Sequence, residues 1–233
     1  MLGRRLPAAA RIVRAAAGLV GASALAVALA PRAARADRDA EDAARVDWAA
    51  GRITAGGTGL ADRHAPSPAV ALGTSRRGAV EAAKQRIAAK LGSLPLASGG
   101  TLAGRLADAA VKARVDAAVD AAIAIAAEPE TDGSWHVTLA LPIEAIRQAL
   151  DEPRALPAAG DDGPPVVIVD GVTAKPSIGW SIGGTACATL WVKDIPEWAR
   201  GAPRIRARSA KAGAITVDGS RGTPATLYLI IGK

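Results

Sequence analysis

The sequence predicts an α+β fold, in which a small antiparallel sheet with helices on one face is followed by a small β-rich module. Three observations lead to this prediction. Residues 75–91 carry apolar side chains at spacings of three and four, the period of an amphipathic helix. Residues 135–141 alternate apolar and polar side chains, as a half-buried strand does. Beyond residue 165 the chain changes from alanine-rich to β-branched segments, which favour strands.

The first 36 residues have the composition of a secretory signal peptide. They contain six arginines and no acidic residue, and an apolar run precedes Ala34-Arg35-Ala36, which has small residues at both key positions. The sequence therefore predicts cleavage between Ala36 and Asp37. The chain of 233 residues has a formal charge of +7. Loss of the signal lowers this charge to about +1, and a nearly neutral mature chain argues against a nucleic-acid partner.

Export predicts a periplasmic or secreted protein. A retained transmembrane anchor is the alternative, but the apolar run is rich in alanine and glycine and is shorter than the roughly 20 apolar residues that span a bilayer. A lipid anchor needs a cysteine directly after the signal, and the sequence has only Cys187. We therefore expect no stable membrane anchor after cleavage. Arg4 and Arg5 leave the general secretory and twin-arginine routes both open.

The first predicted module covers residues 46–150 and follows a charged, flexible leader over 37–45. Val46, Trp48 and Ile53 indicate an opening strand, since aromatic and β-branched residues favour strands. A loop follows, and the first helix is then expected over 75–91, with Thr74 or Ser75 as its N-cap. Its predicted apolar stripe consists of Val80, Ala83, Ile87 and Leu91.

The rest of this module is predicted to form a second helix, a hairpin and a short helix. The second helix is expected over 102–111. Residues 115–127 are ambiguous, because their alanine content favours a helix while their apolar residues also alternate at period two. An Asp-Gly turn at 132–133 precedes the strand over 135–141, and that strand needs a partner. We therefore predict a strand over 119–128, and a short helix over 142–150.

A proline- and glycine-rich linker over 151–164 separates the second module, residues 165–233, from the first. Helical patterns are nearly absent from this module, apart from a turn around 196–199. Strands are predicted at 165–172, 189–192, 204–208, 214–217 and 226–231.

Several of these features together resemble exported bacterial proteins of the LPP-type envelope lipoprotein family, and also the N-terminal domain of the flagellar assembly protein FlgT. The resemblance is carried by the Val-Asp-Trp and Gly-Thr-Gly segment at 46–59, the basic helix at 76–91 and the strands within 119–141. It implies a small α/β fold, with helices on one face of an antiparallel sheet, that works in the cell envelope by contact. The family's lipid-bearing cysteine is absent here.

Catalytic and metal-binding patterns are weak. The glycine-rich run at 56–59 lacks the third glycine of a dinucleotide site and the Lys-Ser or Lys-Thr of a P-loop, so tight strand-end geometry is the better interpretation. His64, His136 and Cys187 do not have the spacing of zinc ligands. We predict no catalytic residue, no metal and no cofactor, and we interpret Cys187 as a core residue.

The second module contains the candidate binding surface. It consists of three tryptophans and three arginines, namely Trp180, Trp191, Trp198, Arg204, Arg206 and Arg208. Aromatic rings can stack on sugars or on a protein partner, but core filling is the better interpretation in a chain with so few large side chains. The arginines recur every second residue and should share one face of a strand, where they can meet an anionic partner or protect an exposed sheet edge.

The sequence thus predicts an exported, non-catalytic cell-envelope protein that acts as a structural or assembly factor. The alternative is a periplasmic binding module that recognises glycan or cell-wall polymer through its C-terminal tryptophans and arginines. A secreted hydrolase is the third hypothesis. Envelope proteins or cell-wall polymer are the expected partners.

Overall fold

A computed structural model describes residues 40, 42–150, 164–218, 222–223 and 225–232. The predicted signal peptide over 1–36 and the cleavage position between Ala36 and Asp37 lie outside the described residues, as does almost all of the predicted linker over 151–164. In the part of the chain that is described, no helix is both long and apolar enough to cross a membrane.

The first half of the described chain is a four-stranded antiparallel sheet with helices packed against it. Its strands are β1 (Arg45–Asp47), β2 (Arg52–Gly59), β3 (Ile123–Pro129) and β4 (Trp135–Pro142). Their order in the sheet is β1-β2-β4-β3. The helices are α1 (Pro68–Leu91), α2 (Leu102–Arg105), α3 (Ala109–Asp120) and α4 (Ile143–Leu150). Both sheet and helices contribute to one core that includes Ile53, Ile87 and Leu139, and the predicted α+β class is confirmed.

The second half is a seven-stranded mixed sheet. Its strands are β5 (Val166–Val172), β6 (Ser181–Ile182), β7 (Thr185–Ala186), β8 (Ala188–Val192), β9 (Arg204–Lys211), β10 (Ala214–Val217) and β11 (Leu227–Gly232). Their order is β7-β6-β10-β9-β5-β11-β8. All five predicted strands are present. The strands β6 and β7 have no counterpart in the prediction, because two residues are too few to show a period.

Helix α1 begins at Pro68, so the predicted start near Ser75 is wrong. The Ser67 side chain accepts a hydrogen bond from Val70 N, and proline is favourable in the first helical turn because its missing N–H would have no partner there. The buried positions of the helix are Ser75, Ala79, Ala83, Ile87 and Leu91. Val80 is only partly buried at the side of this stripe.

The glycine-rich run forms the last four residues of strand β2, and it lets helix α1 lie very close to this end of the strand. A Cβ atom at Gly57 would lie 2.5 Å from Ala83 N, and one at Gly59 would lie 2.5 Å from Ala79 N. Side chains cannot be accommodated at such distances, so these two glycines permit the helix–strand contact.

The predicted strand over 119–128 is wrong in its first part, because helix α3 continues to Asp120 and strand β3 begins at Ile123. Val111, Val115 and Val119 repeat every four residues and are buried on one side of the helix. Val119, the first residue of the apparent alternation, therefore lies on the buried face of a helix. The predicted helix over 102–111 likewise divides into α2 and the start of α3.

The break between α2 and α3 occurs at Asp108. Its carboxylate caps α3 by accepting hydrogen bonds from Val111 N and Ala110 N, and these bonds lower the pKa of Asp108. The cap explains why a new helix begins at this point.

Main-chain hydrogen bonds join the two halves of the described chain. Trp191 N donates to Trp48 O at 3.1 Å, Ala97 N donates to Ile178 O at 2.8 Å, and Ile178 N donates to Pro95 O at 3.0 Å. Residues Asp42–Lys233 form one compact unit that contains both sheets. The division into modules at the linker stays a prediction.

Candidate functional site

A polar cluster fixes the start of the described chain to the first sheet. The Asp42 carboxylate accepts a hydrogen bond from Arg86 Nη1 at 2.6 Å, and it lies 2.7 Å from His136 Nε2. The Asp42 side chain is only 2% exposed, whereas the side chains of Arg86 and His136 are 31% and 30% exposed. A buried carboxylate therefore lies between two partly solvated nitrogen groups.

The backbone of Asp42 is part of the same cluster. Gly56 N donates to Asp42 O at 3.0 Å, and Arg86 Nη1 also donates to Gly56 O at 2.8 Å. Asp42 thus lies along the free side of strand β2 before β1 begins. The prediction of a flexible leader over 37–45 is wrong for residues 42–45. Charge and alanine content suggested a solvated leader, but the three-dimensional contacts of Asp42 outweigh that local signal.

Thr58 lies beside His136 in the sheet, because the two residues are register partners on β2 and β4. The Thr58 hydroxyl oxygen is buried and has no hydrogen-bond partner among the described residues. An activated nucleophile is hydrogen-bonded to its base and accessible to substrate. Thr58 has neither feature, so it does not form a nucleophile–base pair with His136. The sequence placed His136 on the polar side of its strand, but it contained no signal that pairs His136 with Asp42.

Cys187 is buried, as the sequence predicted, with 1% of its surface exposed. Its thiol lies 3.2 Å from Thr185 O. Burial raises the pKa of Cys187, because it disfavours the thiolate. The residue therefore has the properties of a core thiol rather than of a nucleophile.

We expect Cys187 to react with an aromatic disulfide reagent at pH 8 about 100-fold more slowly in the folded protein than in concentrated urea. The raised pKa keeps the thiol protonated, and burial excludes the reagent until the structure opens. The release of the coloured thiol measures both rates. Equal rates in buffer and in urea would contradict the burial of this residue.

An open groove of about 460 Å³ lies beside the opening strand. Its lining combines apolar residues with two cationic side chains, and it consists of Ala44, Arg45, Val46, Trp48, Lys90, Ser93, Leu94 and Pro95. Such a lining can hold an apolar or anionic group, but it does not pair an acid with a base. Among the described residues, no group of three or more His, Cys, Asp and Glu side chains can hold a metal ion.

The three tryptophans of the predicted binding surface do not lie together. Trp180 and Trp191 are 4% and 5% exposed and belong to the core on one face of the second sheet. Their ring centroids are 5.8 Å apart with a tilted arrangement, which is a favourable aromatic contact. Both rings fill the core, so they cannot stack on a ligand. Trp198, by contrast, is 62% exposed.

The three arginines do share one face of strand β9. Arg204, Arg206 and Arg208 are exposed, while Ile205 and Ala207 between them pack against the core. The expectation of a charged edge strand is wrong, because β9 lies inside the sheet between β5 and β10. The alternation of β9 is visible in the sequence, whereas the strands that flank β9 are not.

Trp198 lies on the same side of the second sheet as these arginines. The single-turn 3-10 helix Glu197–Ala199 carries Trp198, and its Ala199 packs in a small core with Ile168. Ile168 is the register partner of Arg204, so their side chains share one sheet face. The structure therefore places four of the six predicted surface residues on one side of the second sheet, and the other two, Trp180 and Trp191, in the core on the opposite face.

Neither a known protein family nor a curated protein matches this sequence. The resemblance to LPP-type lipoproteins and to the N-terminal domain of FlgT therefore stays a prediction.

Proposed function

We propose that this chain is an exported, non-catalytic protein of the cell envelope that acts by contact, as a structural or assembly factor. The structural contacts made by its potentially reactive side chains support this function. Asp42 and His136 hold the start of the chain on the sheet, and Cys187 is a buried core thiol with a raised pKa. The groups best suited to chemistry are thus engaged in structural contacts.

The N-terminal sequence supports the proposed export. The charged start, the apolar middle and the Ala34-Arg35-Ala36 ending have the order that signal peptidase substrates show. Asp42 lies downstream of the predicted cleavage position, so the mature chain retains the whole Asp42–Arg86–His136 cluster. Processing therefore leaves the folded unit intact.

A second candidate function is favoured by one specific observation. Trp198 and the three arginines of β9 are exposed on one side of the second sheet, and an exposed tryptophan is unusual because its large ring is normally buried. This surface suits an envelope module that binds glycan or cell-wall polymer. Trp180 and Trp191 support the surface from the core side of the sheet.

Sedimentation with purified, insoluble cell wall tests these two functions. The mature chain from Asp37 onward is mixed with cell wall, pelleted and compared with Trp198→Ala. A structural factor that acts on other proteins should stay in the supernatant in both forms. Retention of the wild type, with at least about tenfold less Trp198→Ala in the pellet, would support the binding module and contradict the first function. A thermal melt confirms that the variant is folded.

A further inference from the structure

We propose that the surface formed by Trp198, Arg204, Arg206 and Arg208 binds a linear acidic polysaccharide that lies along strand β9. The proposal rests on the second candidate function and names the class of its ligand. The ligand would place a sugar ring on Trp198 and its carboxylates against the arginines.

The geometry of the strand favours a linear ligand. Successive side chains on one face of a strand are about 7 Å apart, which applies to Arg204 and Arg206, and Arg208 follows them at a β-bulge opposite Thr216 and Val217. Trp198 precedes these arginines in the chain, in a single-turn helix whose Ala199 packs on the same side of the sheet. The surface therefore combines positive charges along a strand with an exposed aromatic group on the same side of the sheet.

The kind of cation favours an oxyanion, such as the carboxylate of an acidic sugar. The guanidinium group is a planar fork that pairs with a carboxylate or a phosphate through two parallel hydrogen bonds, which lysine cannot do. Sugar rings have an apolar face of C–H groups, and an exposed indole ring offers the flat apolar surface that packs against it. An acidic polysaccharide carries both kinds of group, carboxylates and apolar sugar faces, along one chain.

Two acidic residues moderate the positive charge of this surface. The Arg208 side chain is ion-paired with Asp218, and both side chains are more than half exposed. Asp170 is the register partner of Arg206 on the neighbouring strand. Exposed ion pairs of this kind are weak, so a ligand carboxylate can replace Asp218 at little cost. Asp218 therefore acts as an internal competitor for the ligand.

The test measures binding of oligogalacturonate, a defined acidic oligosaccharide, to the mature chain from Asp37 onward by isothermal titration calorimetry. We expect Arg206→Gln to weaken binding about fivefold and Trp198→Ala about tenfold. Asp218→Asn should strengthen binding about twofold, because it removes the competing carboxylate. Arg77→Gln makes the same charge change on an exposed site of helix α1 and should have no effect.

The controls separate this proposal from the function on which it rests. A neutral oligosaccharide of equal length should bind at least about tenfold more weakly, and added salt should weaken the acidic ligand only. Equal binding of both sugars, equal effects of Arg206→Gln and Arg77→Gln, or tighter binding of single-stranded DNA would overturn the proposal. Failure with oligogalacturonate, together with retention on cell wall that depends on Trp198, would overturn the acidic ligand and leave the binding function standing.

Discussion

Replacing Gly59 by alanine is expected to lower the free energy of unfolding by about 3 kcal/mol or more, because overpacking against rigid groups forces the structure apart. The new Cβ atom would overlap Ser75 O and would lie 2.5 Å from Ala79 N. Both are backbone atoms of helix α1, so no side-chain rotation can relieve the clash. Helix α1 would have to move away from β2, and the core between them would open. Urea denaturation followed by circular dichroism measures the change.

Gly73→Ala is the matched control, because Gly73 lies in helix α1 and nothing lies within 4 Å of a Cβ atom at this position. Alanine has the higher helix propensity, so this variant should be more stable than the wild type by about 0.5–1 kcal/mol. The two substitutions are chemically identical and should act in opposite directions. Similar effects from both would show that the close contact between α1 and β2 does not exist.

Asp42→Asn is expected to destabilise the protein by about 2–3 kcal/mol. The substitution keeps the shape of the side chain but removes the charge that Arg86 and His136 share. Removal of one member of a fully buried ion pair lowers the free energy of unfolding by about 3–5 kcal/mol. Because Arg86 and His136 are both partly exposed, the loss here should lie at or below the lower end of this range. Amide exchange provides a local readout, since Gly56 N donates to Asp42 O and should exchange faster in the variant.

Asp116→Asn provides the comparison for a solvated carboxylate. Asp116 pairs with Lys112 at 2.6 Å on helix α3, and both side chains are more than half exposed. Such a pair contributes about 0.5 kcal/mol or less, so this variant should melt close to the wild type. If Asp42→Asn behaved like Asp116→Asn, the cluster would not anchor the start of the chain.

The parts of the fold that follow from the sequence are those in which one local pattern dominates. Strand β4 alternates cleanly between apolar and polar residues. The β-branched runs of the second half likewise predict the five longer strands of the second sheet. The start of β3 could not be read in this way. Alanine-rich residues suit both a helix and a strand, and only the burial of Val119 against the core decides for the helix.

Only part of the candidate site could be predicted from the sequence, because its residues meet through the fold rather than through a local pattern. An isolated Asp42 in a charged segment gives no local signal, because its partners Arg86 and His136 are distant in sequence. The tryptophans pose the same problem, since their identity fixes neither burial nor exposure. Trp180 and Trp191 lie in the core on one face of the second sheet. Trp198 lies in a single-turn helix, where its side chain is exposed.

Export to the envelope can be measured directly by cell fractionation combined with intact-mass determination. The full chain is expressed in a bacterium with a C-terminal tag, and the periplasmic, membrane and cytoplasmic fractions are purified separately. We expect the protein in the periplasmic fraction or the medium, with a mass that corresponds to a chain beginning at Asp37. A protein of full mass, beginning at Met1 and recovered from the cytoplasm, would contradict export and the envelope function proposed for it.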